Sequence, residues 1–155
     1  KNTDAKKQEP QRKIAETKQT KSVWRLFAVL LVNRPQLAST IDSQLLNISR
    51  TLHSNLADLI EFLQVHPAYK TTAQLLEAVK ETDLANLVEK LAIEPLVIEE
   101  SAIPETFEDV KQQIVKIHNE KRIQVLIDKS KRAAISADER IELQQLLQHK
   151  AQVKH

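Results

Sequence analysis

No glycine occurs among the 155 residues of this chain. At ordinary usage of about 7%, roughly 11 would be expected. Glycine allows the backbone to enter φ > 0, to turn tightly in a hairpin, or to approach a phosphate. Its absence removes the phosphate-binding loop, the dinucleotide fingerprint, the nucleophile elbow and the kinase lid at their first required residue. Cysteine is absent as well, which excludes disulfides, thiolate nucleophiles and Cys-ligated zinc. Aromatics make up only 3%, so any core is aliphatic. Methionine is missing even at position 1, and we expect the chain to be a piece of a longer protein or a processed product. The longest apolar run, Leu26 to Val32, falls far short of the ~20 residues of a membrane span. With no recognisable signal peptide, a soluble cytoplasmic protein is the expectation.

What is abundant is Leu, Ile, Val, Ala, Gln, Glu and Lys, a composition suited to helices with polar caps and short connections. The net charge of +2 is unevenly spread. Residues 1–21 carry seven Lys/Arg against three Asp/Glu, and residues 22–155 carry sixteen against eighteen. The basic segment has too little apolar content to offset its ordering entropy and reads as a flexible linker. Weak, salt-sensitive contact with nucleic acid is its other reading.

From Ser22 the pattern changes. Trp24, Phe27, Ala28, Leu30, Leu31 and Val32 are apolar nearly all round, which predicts a central helix ending before Pro35. Residues 35–52 read as short helical turns. Leu56, Leu59, Ile60 and Leu63 then predict a helix closed by Pro67. Thr71 to Gln74 has capping-box spacing and opens a short helix. Another starts at Thr82-Asp83 and carries Leu84, Leu87, Val88, Leu91 and Ile93 up to Pro95. Residues 94–110 then hold six acids and no base, and residues 111–132 hold seven bases and two acids. That polarity suits the macrodipole of one long helix from about Pro104 to about Lys131. Its stripe of Phe107, Val110, Ile114 and Ile117 breaks over His118–Arg122, expected to be solvated, and resumes at Ile123, Leu126 and Ile127. Ser136 to Glu139 is a second capping box, launching a last helix with Ile141, Leu143, Leu146 and Leu147.

The expected fold is all-α: a multi-helix bundle over 22–117, then the distal half of a long helix and a terminal helical hairpin over 118–155, with 1–21 as linker. The five histidines include no pair at helical ligand spacing and no HExxH pattern, so neither metal site nor cofactor is expected. The hairpin carries the stronger functional signal. Its leucines alternate with Gln144, Gln145, Gln148 and Gln152, a polar but uncharged surface cheap to desolvate at an interface. Lys21, Arg25 and Lys90 beside Trp24 suggest a socket for an acidic, apolar peptide end.

The runs LLVNRPQLA (Leu30–Ala38), TTAQLLE (Thr71–Glu77), VEKLA (Val88–Ala92), Thr106-Phe107 and SADERIELQQLLQ (Ser136–Gln148) follow in order over about 22–151. In this order they resemble the C-terminal helicase-binding domain of bacterial DNA primase. The resemblance implies a hairpin that docks on the hexameric replicative DNA helicase and recruits primase to the replication fork. It implies a docking face at Ile141, Leu147, Gln148, Ala151 and Gln152. It also implies a pocket for the acidic C-terminal tail of single-stranded DNA-binding protein, with Arg25 and Lys90 as cations and Trp24 as apolar wall. The chain departs from some relatives in carrying Gln144 where they have an aromatic. Primer synthesis belongs to the parent protein; this chain has no counterpart of its catalytic core, and neither strong nucleic-acid binding nor membrane contact is expected. Two other readings stay open. One is the N-terminal primase-binding domain of the helicase, itself a bundle with a hairpin; the other is a nucleic-acid-binding helical module.

Overall fold

The computed structural model describes residues 18–132 and 134–153, with side chains over 22–132 and 134–151. The linker expected over 1–21 lies mostly outside the described residues. Where the description begins, at Lys18, the chain is already helical, four residues before the expected start of the bundle at Ser22. Helix α1 spans Lys18–Asn33, α2 Ser43–Leu52, α3 Ser54–Val65, α4 Thr72–Val79 and α5 Ala85–Ala92. Helix α6 is Ile103–Lys131 and α7 is Ala137–Val153, with 3₁₀ turns at Pro35–Thr40 and Glu100–Ala102. Among the described residues there is no strand, and the all-α expectation holds.

The chain divides into two compact units, Lys1–Ile114 and Val115–His155, so the division falls inside α6. In the first unit α1 is the axis, and Phe27 to Val32 are buried without interruption. Full burial of such side chains contributes ~1.5–3 kcal/mol each. Helix α1 stops two residues before Pro35, and its last carbonyls need outside partners. Thr72 Oγ1, from the start of α4, supplies one by donating to Val32 O at 3.0 Å, while Asn33 Nδ2 bonds back within the helix to Val29 O at 2.9 Å. The turn after it is fixed by Gln64 Nε2, which donates to Ala38 O and Ile41 O, both at 3.0 Å.

Helices α2 and α3 pack together, with Asp42 capping α2 through Leu45 N at 2.9 Å. The capping box at Thr71 and Gln74 is present in full. Helix α5 packs against α1 and α4 through Val88 and Leu91, but Ile93 is 82% exposed and does not join that core. Two residues beyond Leu91 is a 200° rotation, away from the buried stripe. The front of α6 closes the bundle: Phe107 stacks on Phe27 with centroids 5.1 Å apart. Lys111 Nζ donates to Thr40 O at 2.7 Å and to Thr40 Oγ1 at 3.0 Å, and lies 5.6 Å from the Phe107 ring centroid.

Candidate functional site

In the second unit, the rear of α6 and helix α7 form the terminal hairpin. The capping box at its start is reciprocal: Glu139 N donates to Ser136 Oγ at 3.1 Å, and Ser136 N donates to Glu139 Oε1 at 3.0 Å. Helical geometry then sorts α7 by face. Glu139, Glu142, Leu143 and Leu146 share one side, and all four are at least half-buried. Ile141, Gln148 and Ala151 fall on the opposite side and are exposed, with Leu147 at its shoulder. Ile141 is 52% exposed and Leu147 44%, so both stand outside the hairpin core. Gln152 lies in α7, but its side chain is outside the described residues.

The break in the α6 stripe is not simply solvated. Of His118–Arg122 only Glu120 and Lys121 are exposed. Arg122 grips Glu142 in a bidentate pair, Nε to Oε2 at 2.7 Å and Nη2 to Oε1 at 2.9 Å. Lys129 Nζ donates to Glu139 Oε2 at 2.6 Å. The Arg122 bond holds the Glu142 carboxyl below the usual carboxylate range, and Glu142 in return raises Arg122. Lys129, then the Ser136 amide, do the same for Glu139. Burial, then Arg122 and Lys121, push the His118 imidazole below its ordinary value, with Glu142 opposing. Arg122 in the break, with Lys129 further along the helix, is therefore one half of an interhelical clamp. Sequence periodicity missed it because the partners are 10 and 20 residues apart.

The first unit contains a cleft of about 390 Å³. Trp24, Ala28, Leu56 and Leu87 supply its apolar wall, Arg25 and His53 are at its lining, and Ser54 and Asn55 bring in the first turn of α3. Trp24 is 6% exposed, its ring 5.7 Å from Phe27 and 4.7 Å from His53. The start of α3 carries the positive end of its dipole, and its cap position holds His53, not a Ser, Thr, Asp or Asn. Trp24 and Arg25, neighbours in sequence, both line this cleft. Lys90 is exposed on α5 one turn after Leu87 and is not part of the lining. The side chain of Lys21 is outside the described residues. Unforeseen in the sequence was Glu94, which pairs with the Arg25 guanidinium.

Among the described residues no group of His, Cys, Asp or Glu is placed to hold a metal ion, and no helix is long and apolar enough to cross a membrane. Comparison with known proteins gives a consistent picture. The family profile described as DNA primase DnaG DnaB-binding matches residues 24–146. A DNA primase of Pasteurella multocida is 32% identical over 131 residues, covering 83% of this chain but 22% of the relative. The crystal structure of the DnaG primase C-terminal domain from Vibrio cholerae matches with a TM-score of 0.64 at 27% identity. That match covers 81% of this chain and 96% of the other.

Proposed function

The chain belongs to the DnaB-binding family of DnaG primase, and on that premise we propose that it tethers a primase to the replicative helicase through the outer face of α7. The observation that carries this reading is the exposure of Ile141 and Leu147 on a helix whose inner face is already occupied. Exposed aliphatics flanked by Gln148 and Ala151, with Gln152 following in sequence, match what an interface core requires: apolar area with few charges to desolvate. Recruitment to the fork places primer synthesis elsewhere in the parent protein. This chain itself works without cofactor or catalysis, as a soluble adaptor in the cytoplasm. The separation of the helicase-binding segment, 118–155, from the bundle, 22–117, belongs to the same proposal.

The test is titration of the purified chain against the helicase hexamer. Leu147→Asp and Ile141→Asp should each weaken binding at least about tenfold, the loss expected of a buried anchor. Circular dichroism should be unchanged, since neither side chain is buried. Full affinity in both variants would overturn the assignment of this face.

The cleft of the first unit supports the second half of the reading, binding of the acidic C-terminal tail of single-stranded DNA-binding protein. A cation, a helix N-terminus and an apolar wall converge there, and Lys90 stands close enough in sequence and helical register to Leu87 to meet further carboxylates. Lys90→Glu should weaken such a peptide without altering the fold; unchanged affinity would remove Lys90 from the site.

A further inference from the structure

The Arg25–Glu94 pair bears on how the cleft selects its ligand. Arg25 is the cation that lines the cleft, and its guanidinium is already engaged by Glu94. Glu94 stands just beyond α5, with its amide bonded to Leu91 O at 3.2 Å. An anion at the C-terminal end of a helix faces the negative end of the dipole, which disfavours it. Its compensation is Arg25. The side chain of Arg25 is 65% exposed and that of Glu94 30%, so the pair is accessible to exchange with an incoming group.

We infer that Glu94 is an internal competitor that sets the affinity and selectivity of the cleft for acidic peptides. The inference rests on the acidic-tail reading of that cleft. A carboxylate that takes the Arg25 Nη2 donor must displace one tethered at high effective concentration, because that nitrogen is the one Glu94 holds. A lone carboxylate makes a poor exchange. A peptide with several acids and an apolar terminal residue succeeds, because its other carboxylates and its burial against Trp24 and Leu87 supply what the exchange at Arg25 does not. Glu94 therefore filters for multiply acidic tails. It also makes binding less salt-dependent than a bare Arg25 would, since one ion pair replaces another.

Trp24, the sole tryptophan, lies in the cleft wall and reports occupancy by its fluorescence. The probe is a synthetic oligo-aspartate peptide ending in phenylalanine with a free carboxylate, titrated into the wild-type chain, Glu94→Gln, Glu94→Ala and the control Glu89→Gln. Glu89 lies on α5 and tests whether loss of any nearby negative charge suffices. Both Glu94 variants should bind about two- to fivefold tighter, the range expected from removing an exposed ion pair. Their affinity should fall more steeply with salt, while Glu89→Gln stays near wild type. Equal affinity in wild type and both Glu94 variants would overturn the inference and leave the acidic-tail reading standing. So would an equal gain in Glu89→Gln. No binding by any of the proteins would overturn both.

Discussion

Phe27 in the bundle and Leu126 in the hairpin are equally enclosed, both at 0% exposure, yet they sit in different kinds of structure. Around Phe27 lie Trp24, Phe107 and an unbroken run of buried residues from α1. In the second unit, among the described residues, only Ile123 and Leu126 are buried, and Leu126 alone is fully enclosed. Two helices enclose little apolar area, and a unit of that size needs additional fastening. The hairpin has it in Arg122–Glu142 and Lys129–Glu139. The bundle's own ion pairs, such as Arg50 with Asp58 and Glu61, lie on its surface over a core that does not depend on them. The lesson is that an apolar core tolerates solvent conditions that an ionic clamp does not, so one chain carries a robust part and a responsive part.

The largest expected effect tests the robust part. Phe27→Ala removes a side chain stacked on Phe107 and should cost about 3–5 kcal/mol, as measured by urea denaturation. A loss near 1 kcal/mol would mean that the bundle core is less interlocked than the stacking indicates.

Next come the two capping boxes, one in each unit. Thr71→Ala and Ser136→Ala each remove a cap worth about 1 kcal/mol. In the bundle that loss should be absorbed, whereas in the hairpin it should visibly raise amide hydrogen exchange along α7. Equal exchange responses in α4 and α7 would erase the contrast between the units.

Smaller again is Arg122→Ala, at about 0.5–1 kcal/mol, the upper range for partly exposed bidentate pairs. Exchange in α7 should rise, and the double swap Arg122→Glu with Glu142→Arg should restore much of the protection. Added salt should weaken the wild-type hairpin more than Arg122→Ala, which retains only the Lys129–Glu139 pair. A swap no better than the single variants would show that geometry, not charge pairing, holds the helices together.

The most gradual effect is that of pH. The folded-state pKa of His118 lies below its ordinary 6.5, so its contribution is present above that value and lost as pH falls through the lowered one. Glu139 and Glu142 are depressed below 4.5, so theirs is complete above 4.5 and lost at more acid pH. Both act in the same direction, and α7 protection should decline on acidification before the bundle unfolds. A hairpin as stable at pH 4 as at pH 7 would contradict this.

Most of the backbone could be read from the sequence because it depends on local grammar. Pro35 and Pro67 stop helices, the spacing from Thr71 to Gln74 and from Ser136 to Glu139 starts them, and the acid-to-base gradient marks α6. Ile93 was misjudged where stripe membership was extended past the end of its helix. The partners of Arg25 and Arg122 could not be read at all. Glu94 is 69 residues from Arg25, and no periodicity links residues that meet only after packing. Trp24 and Arg25 were placed together from resemblance and adjacency; that Arg25 is already engaged could come only from the structure.

Glu139 has one further consequence, which concerns how the hairpin forms. One oxygen of its carboxylate accepts the Ser136 amide and the other accepts Lys129. The first bond belongs to the nucleating turn of α7, the step that makes an isolated helix improbable. The second closes the loop back to α6, at the entropic cost that any loop closure carries. A single ionised group thus joins two unfavourable events, and each lowers the barrier to the other. Helix α7 should consequently appear and disappear in step with its docking on α6. Relaxation experiments on α7 and on the Lys129 region should report one exchange rate, and Glu139→Gln should split it into two.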